Sequence, residues 1–243
     1  MRTLRGVLFV AALTLTACGA SFLPIGPRPG SGMTCGGGPA FSAEVLADPG
    51  GAENGADPAA VALRTHLETD HMEIDWLPDA GWIEITRTGA EVLYLAPNPE
   101  ADSSWFFASV GRDGDTWEVD GWGGCDLQPD VGPGRGIASF RVAPDAELDP
   151  AGREIPVLVT ERACNSGEDA RGRIVVASID EGDESVTVTF AVRPRGGGQE
   201  CPSNPETPFV LRLPAPLGDR VLLDGSSVPP RDATACPDIA ICP

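Results

Sequence analysis

The chain has 243 residues and a mass of 25.2 kDa, enough for one large domain or two small ones, each with its own core. Its 42% hydrophobic content excludes a wholly disordered or a wholly membrane-embedded protein. All 17 basic side chains are Arg, set against 36 Asp and Glu, so the formal net charge is −19. Without Lys there is no Schiff-base or phosphate-loop lysine, and two His leave few ways to build an acid–base or metal site. So acidic a surface repels nucleic acid, and no nucleic-acid partner is expected.

Residues 1–17 begin with Arg2 and Arg5, run apolar from Val7 to Leu13, and then turn small and polar. That is the order of a secretory signal peptide, and the run is well short of the roughly 20 residues a membrane-spanning helix needs. It ends in Leu15-Thr16-Ala17-Cys18, which resembles the lipobox of bacterial lipoproteins at every position. The resemblance implies cleavage before Cys18 and a diacylglycerol on its thiol. The mature protein would then be tethered to the outer face of the cell membrane. Two or more acyl chains hold a protein at a bilayer stably, whereas one does not. Cysteine parity points the same way. Beyond Cys18 there remain Cys35, Cys125, Cys164, Cys201, Cys236 and Cys242, an even set suited to an oxidising compartment. Residues 18–34, rich in Gly and Pro, read as a stalk that could extend about 50 Å.

A first unit is expected over 35–127. Asp57 caps and Pro58 opens a helix over 58–69, with Val61, Leu63 and Leu67 facing inward. Strands follow at 82–86, 91–96, 104–110 and 116–122, the spacing of an antiparallel meander, so this unit reads as α+β. Asp113-Gly114 is a hairpin signal. As a two-residue turn it places Val110 opposite Trp117 and Trp105 opposite Trp122. One face then carries Phe106, Ala108, Val110, Trp117 and Val119 as core. The other carries Trp105, Phe107, Ser109, Glu118, Asp120 and Trp122. Flat rings beside carboxylates suit a carbohydrate, so Trp105, Phe107, Trp122, Glu118 and Asp120 form the candidate ligand face. The competing expectation is that the helix or the second unit covers these rings.

A second unit over 135–225 reads as all-β, with strands at 137–142, 155–162, 173–179, 185–193, 209–213 and 220–223. Short strands at this spacing favour a sandwich, of immunoglobulin-like type. The stretch ERACNSG…GRI…VTVTFAV…CPSNPETPFVLRLPAPLGDR resembles the C-terminal half of uncharacterised lipoproteins from GC-rich Gram-positive bacteria, which implies location and fold only. Residues 226–243 read as a loop-like tail. Six cysteines allow 15 pairings. Keeping each bond within one unit gives Cys35–Cys125, Cys164–Cys201 and Cys236–Cys242, with a cross-link from the tail to the first unit as the rival.

Other chemistry is sparse. His66 and His71, with Glu68 or Asp70, lack the i, i+4 spacing of a zinc-binding helix pair and read as surface residues at a helix end. Asp113 to Glu118 has oxygen ligands without the calcium-loop spacing, and residues 180–184 read as a charged hairpin tip. No G-x-S-x-G and no cofactor motif are present. The expected function is a lipid-anchored, non-catalytic binding or structural component of the cell envelope. Its partner would be a glycan or an envelope protein, and no cofactor is expected. The alternative is a hydrolase that acts through paired carboxylates on extracellular or cell-wall glycan.

Overall fold

The computed structural model describes residues 32–69, 76–98 and 104–235. Cys18, His71, Cys236 and Cys242 lie outside the described residues, as does the leader. The described residues are predominantly β, with one α-helix of three turns among them and mostly antiparallel sheets.

The first unit begins with β1 (Gly32–Cys35) and β2 (Phe41–Ser42), which pair with each other, and continues through two short 3-10 turns into α1 (Pro58–Thr69). Asp57 Oδ1 accepts the N–H groups of Ala59 and Ala60 at 3.2 and 3.3 Å, satisfying two donors that a helix start leaves free. The buried stripe of α1 is Ala59, Ala60, Leu63 and Leu67. Val61 is not part of it, against the sequence expectation: it lies about 200° round the helix from Leu63 and is 39% exposed.

The meander is β3 (Ile83–Arg87), β4 (Glu91–Pro97), β5 (Trp105–Asp113) and β6 (Thr116–Cys125), paired in chain order. Helix α1 covers one face, where Leu63 and Leu67 meet Val92, Tyr94, Ala108 and Val110. The other face is also covered. β7 (Leu127–Pro129) returns to pair with β1, and the sheet β2-β1-β7 brings Phe41, Cys35 and Leu127 onto Ile83, Ile85, Leu93 and Leu95. Three layers result, and β4 is buried on both faces, as its unbroken run Val92-Leu93-Tyr94-Leu95-Ala96 requires. The disulfide Cys35–Cys125 joins β1 to the end of β6, as expected from sequence.

The second unit is one seven-stranded sheet: β8 (Gly136–Val142), β9 (Glu154–Glu161), β10 (Ile174–Glu181), β11 (Ser185–Val192), β12 (Thr207–Arg212), β13 (Val221–Asp224) and β14 (Arg231–Asp232). All six expected strands are present, and β14 extends the sheet into the stretch read as tail. Strand β11 organises it. One edge pairs with β10 along its length; the other pairs with β13, parallel, over Ser185–Val188 and with β8, antiparallel, over Phe190–Val192. The sheet therefore forks. Gly225 sits at the apex, where a Cβ would come within 2.6 Å of Thr189 Oγ1. The core is Phe140, Val157, Val159, Val186, Val188, Phe190 and Leu211, with Phe190 edge-on to Phe140 and Phe209.

The loop after β9 is tied down by charge and sulfur together. The buried Glu161 carboxylate accepts two bonds from Arg173, at 3.0 and 2.6 Å, and one from Asn165 Nδ2 at 3.0 Å. Cys164–Cys201 closes the same loop. The corrected helix face has a direct consequence. Leu63→Ala should cost about 2 to 5 kcal/mol in urea unfolding. Val61→Ala should stay within about 0.5 kcal/mol, and equal losses would contradict the assigned face.

Candidate functional site

The aromatic–acidic face does not survive as one surface. Residues Asp113 and Thr116 pair, so the two-residue turn is Gly114-Asp115. Gly114 takes φ 60° and Asp115 does not take positive φ, which fits a turn with glycine first, not second. Val110 consequently faces Val119 instead of Trp117. A bulge at Asp120 then shifts the register once more, so Trp122 faces Ala108 and Trp105 faces Cys125. Trp122 thus lies on the helix side, 4.7 Å from the His66 ring between centroids. Trp105 and Phe107 pack on the opposite side against the core beneath β1, β2 and β7. Glu118 and Asp120 stay at the hairpin end, with the Asp120 carboxylate lying over Gly111 and leaving no room for a Cβ there. The covering of the rings, by helix and small sheet, is the outcome. A bulge gives no signal in the sequence from which it could have been read.

The other candidates resolve similarly. His66 Nε2 is buried without a partner among the described residues, in a shallow groove of about 680 Å³ between α1 and β6. In the Asp113–Glu118 turn Arg112 takes the oxygens a cation would use, bonding Gly114 O at 2.9 Å and the Asp115 carboxylate at 3.3 Å. Among the described residues no group of His, Cys, Asp and Glu could hold a metal. None of their helices is long and apolar enough to cross a membrane.

The concavity with convergent chemistry is the fork itself. Where β8 and β13 part, β14 runs back along β13, and the next residue, Ala233, closes the gap. Its N–H donates to Leu222 O at 2.9 Å, and its carbonyl accepts from Val142 N at 2.8 Å. A half-open cavity of about 430 Å³ results, within the range of small-ligand sites. At its floor Asp224, 2% exposed, accepts Ser226 N–H at 3.0 Å, Ser226 Oγ–H at 2.8 Å and Arg231 Nη2 at 3.1 Å. Arg141 and Glu206 form a two-bond pair at 2.7 and 2.8 Å along one wall, with the hydroxyls of Ser139 and Thr160 nearby. Burial pushes the Asp224 carboxyl above the ordinary aspartate value, and the bonds from Ser226 and Arg231 offset this only in part. Asp232, also lining the cavity, is held below the ordinary value by the Thr234 hydroxyl and N–H, at 2.6 and 2.8 Å. A perturbed carboxylate in a half-open, polar-tipped cavity marks this as the candidate site. No motif signals it, because Ser139, Thr160, Asp224 and Arg231 come together only through the forked pairing.

No family model, curated protein or solved structure matches the chain.

A group that is easier to protonate folded than unfolded stabilises the fold less as pH rises through the window between its two values. Asp224 should therefore lower stability as pH climbs from the ordinary aspartate value to its raised one, and Asp232 should act in the opposite sense below the ordinary value. Carboxyl-carbon NMR should find Asp224 titrating above Asp232, and higher still in Arg231→Ala, which removes a cation that favours the charged form. Reversal of that order would contradict the burial argument.

Proposed function

We propose that this chain is a lipid-anchored lipoprotein of the cell envelope, with diacylglycerol on Cys18 and residues 1–17 removed as leader. Its folded body acts as a non-catalytic binding component on the outer face of the cell membrane. The partner is a glycan or an envelope protein, and the fork cavity is where a small polar ligand would enter. The observation that carries this reading is the closure of Cys35–Cys125 and Cys164–Cys201, one bond in each unit. Structural disulfides belong to oxidising compartments, where a lipobox leader would deliver the protein. Binding is favoured over catalysis because Asp224 already accepts three bonds from its own chain, leaving little capacity to take a proton from a substrate. We read the second unit as an immunoglobulin-like sandwich, with the fork at β11 dividing the strands between its layers.

One observation favours a second reading. Asp224 and Asp232 line one cavity and are shifted in opposite directions, the pattern of an acid and a base in a carboxylate hydrolase. Glycan cleavage by the purified protein, abolished by Asp232→Asn, would replace the binding reading with this one.

The anchor has a direct test by cell fractionation. Wild-type protein should sediment with membranes until detergent is added, whereas Cys18→Ser should appear in the soluble extracytoplasmic fraction. Tight membrane association of the variant would overturn the lipoprotein assignment.

A further inference from the structure

A second cavity, of about 590 Å³, lies where the two units meet. Its walls are the glycine turn Gly36-Gly37-Gly38 and the loop from Pro129 to Gly136. The units are joined at one end by Arg162, which donates to the Asp126 carboxylate and to Ser226 O. Strands β1 and β7 contribute the floor. Their pairing sets Thr34 directly opposite Gln128, on the face turned away from the core that holds Met33, Cys35 and Leu127. Thr34 and Gln128 are 6% and 7% exposed, yet both line this cavity. Neither side chain bonds another described residue, and neither is among the fully buried polar groups left without a partner, so both present their polar atoms to the solvent of the cavity. An adjacent hydroxyl and amide held without partners on a stiff strand pair are a recognition surface, not a structural bond.

The surrounding charge narrows what could occupy it. Asp126 and Asp130 are matched by Arg162 and Arg135, so the cavity is locally neutral in a chain of net charge −19. A peptide adding along β7 would meet Pro129, which offers no N–H, and the nearby Asp130 N–H is already spent on Gly32 O at 2.9 Å. Thr34 and Gln128 each donate and accept, as adjacent hydroxyls of a sugar also do. The glycine turn carries no side chains to hold a ring off the backbone, and Ala40, Pro129 and Ile137 supply apolar contact for its C–H faces. We propose that the cavity between the units, floored by Thr34 and Gln128, is a binding site for a neutral carbohydrate. The assignment takes from the proposed function only that the body binds a ligand. It is separate from the fork cavity and independent of the anchor.

Calorimetric titration of the full-length chain in detergent tests it. The probes are maltotriose, mannotriose, cellotriose and chitotriose, with a capped tetra-alanine peptide as the contrasting ligand. At least one trisaccharide should bind, and its affinity should fall tenfold or more in the double variant Thr34→Val, Gln128→Leu. The thermal midpoint of that variant should equal or exceed the wild-type value, because the two side chains have no partner to lose. Val61→Ala, on the exposed face of α1 and outside both cavities, should leave sugar affinity unchanged, and fractionation of Cys18→Ser reports on the anchor alone, so the two failures are distinguishable. The proposal is overturned if no trisaccharide binds, or if affinity is unchanged in the double variant. A lowered thermal midpoint overturns it as well, and so does a peptide that binds in a Gln128-dependent way where the sugars do not.

Discussion

The cross-link between Cys35 and Cys125 is the constraint on which the first unit turns. It closes a separation of 90 residues, which in the chain-entropy account stabilises by about 4 to 5 kcal/mol. Its geometric effect matters more. By fixing β1 to the end of β6 it lays the small sheet against the outer face of the meander, where it covers the side chains that a bare meander would have shown to solvent. Trp105 and Phe107 pack half-buried against that core for that reason. The same strand pair turns its other face toward the second unit and so furnishes Thr34 and Gln128 as the floor between them.

Arginine does the remaining tying. With no Lys in the chain, the two-bond contacts to carboxylates use the planar guanidinium fork. Arg173 neutralises the buried Glu161, Arg141 holds Glu206 at the fork, and Arg162 bonds Asp126 across the units while also donating to Ser226 O on its own side. In an acidic protein these pairings leave Asp232 as a carboxylate at the fork cavity, while Asp224 is spent on Ser226 and Arg231.

Much of this was legible from local chemistry. Asp57-Pro58 fixed the helix start, and alternation such as Val186, Val188, Phe190 and Val192 marked the longer strands. Strands β1, β2, β7 and β14 escaped because each has four residues or fewer and lacks alternation long enough to read. The register of β5 against β6 escaped for a different reason. A glycine in the first turn position slid the hairpin by two residues without changing faces, and one bulged residue, Asp120, then moved Trp122 to the opposite face; neither leaves a periodic trace. Both cavities are long-range constructions: Thr34 meets Gln128, and Asp224 meets Ser139, through pairings no local window contains. The pairing of Cys35 with Cys125 was the one available clue, since those cysteines flank the positions of the floor.

We propose a disulfide-closed body fastened outside the cell through one acylated cysteine. Intact mass of the protein purified from its membrane, without reductant, tests it most directly. The account predicts a chain lacking residues 1–17, heavier by a diacylglycerol at Cys18, and lighter by six hydrogens for three closed bonds among the six remaining cysteines. An uncleaved chain with an unmodified Cys18, or a body whose mass does not change on reduction, would contradict it.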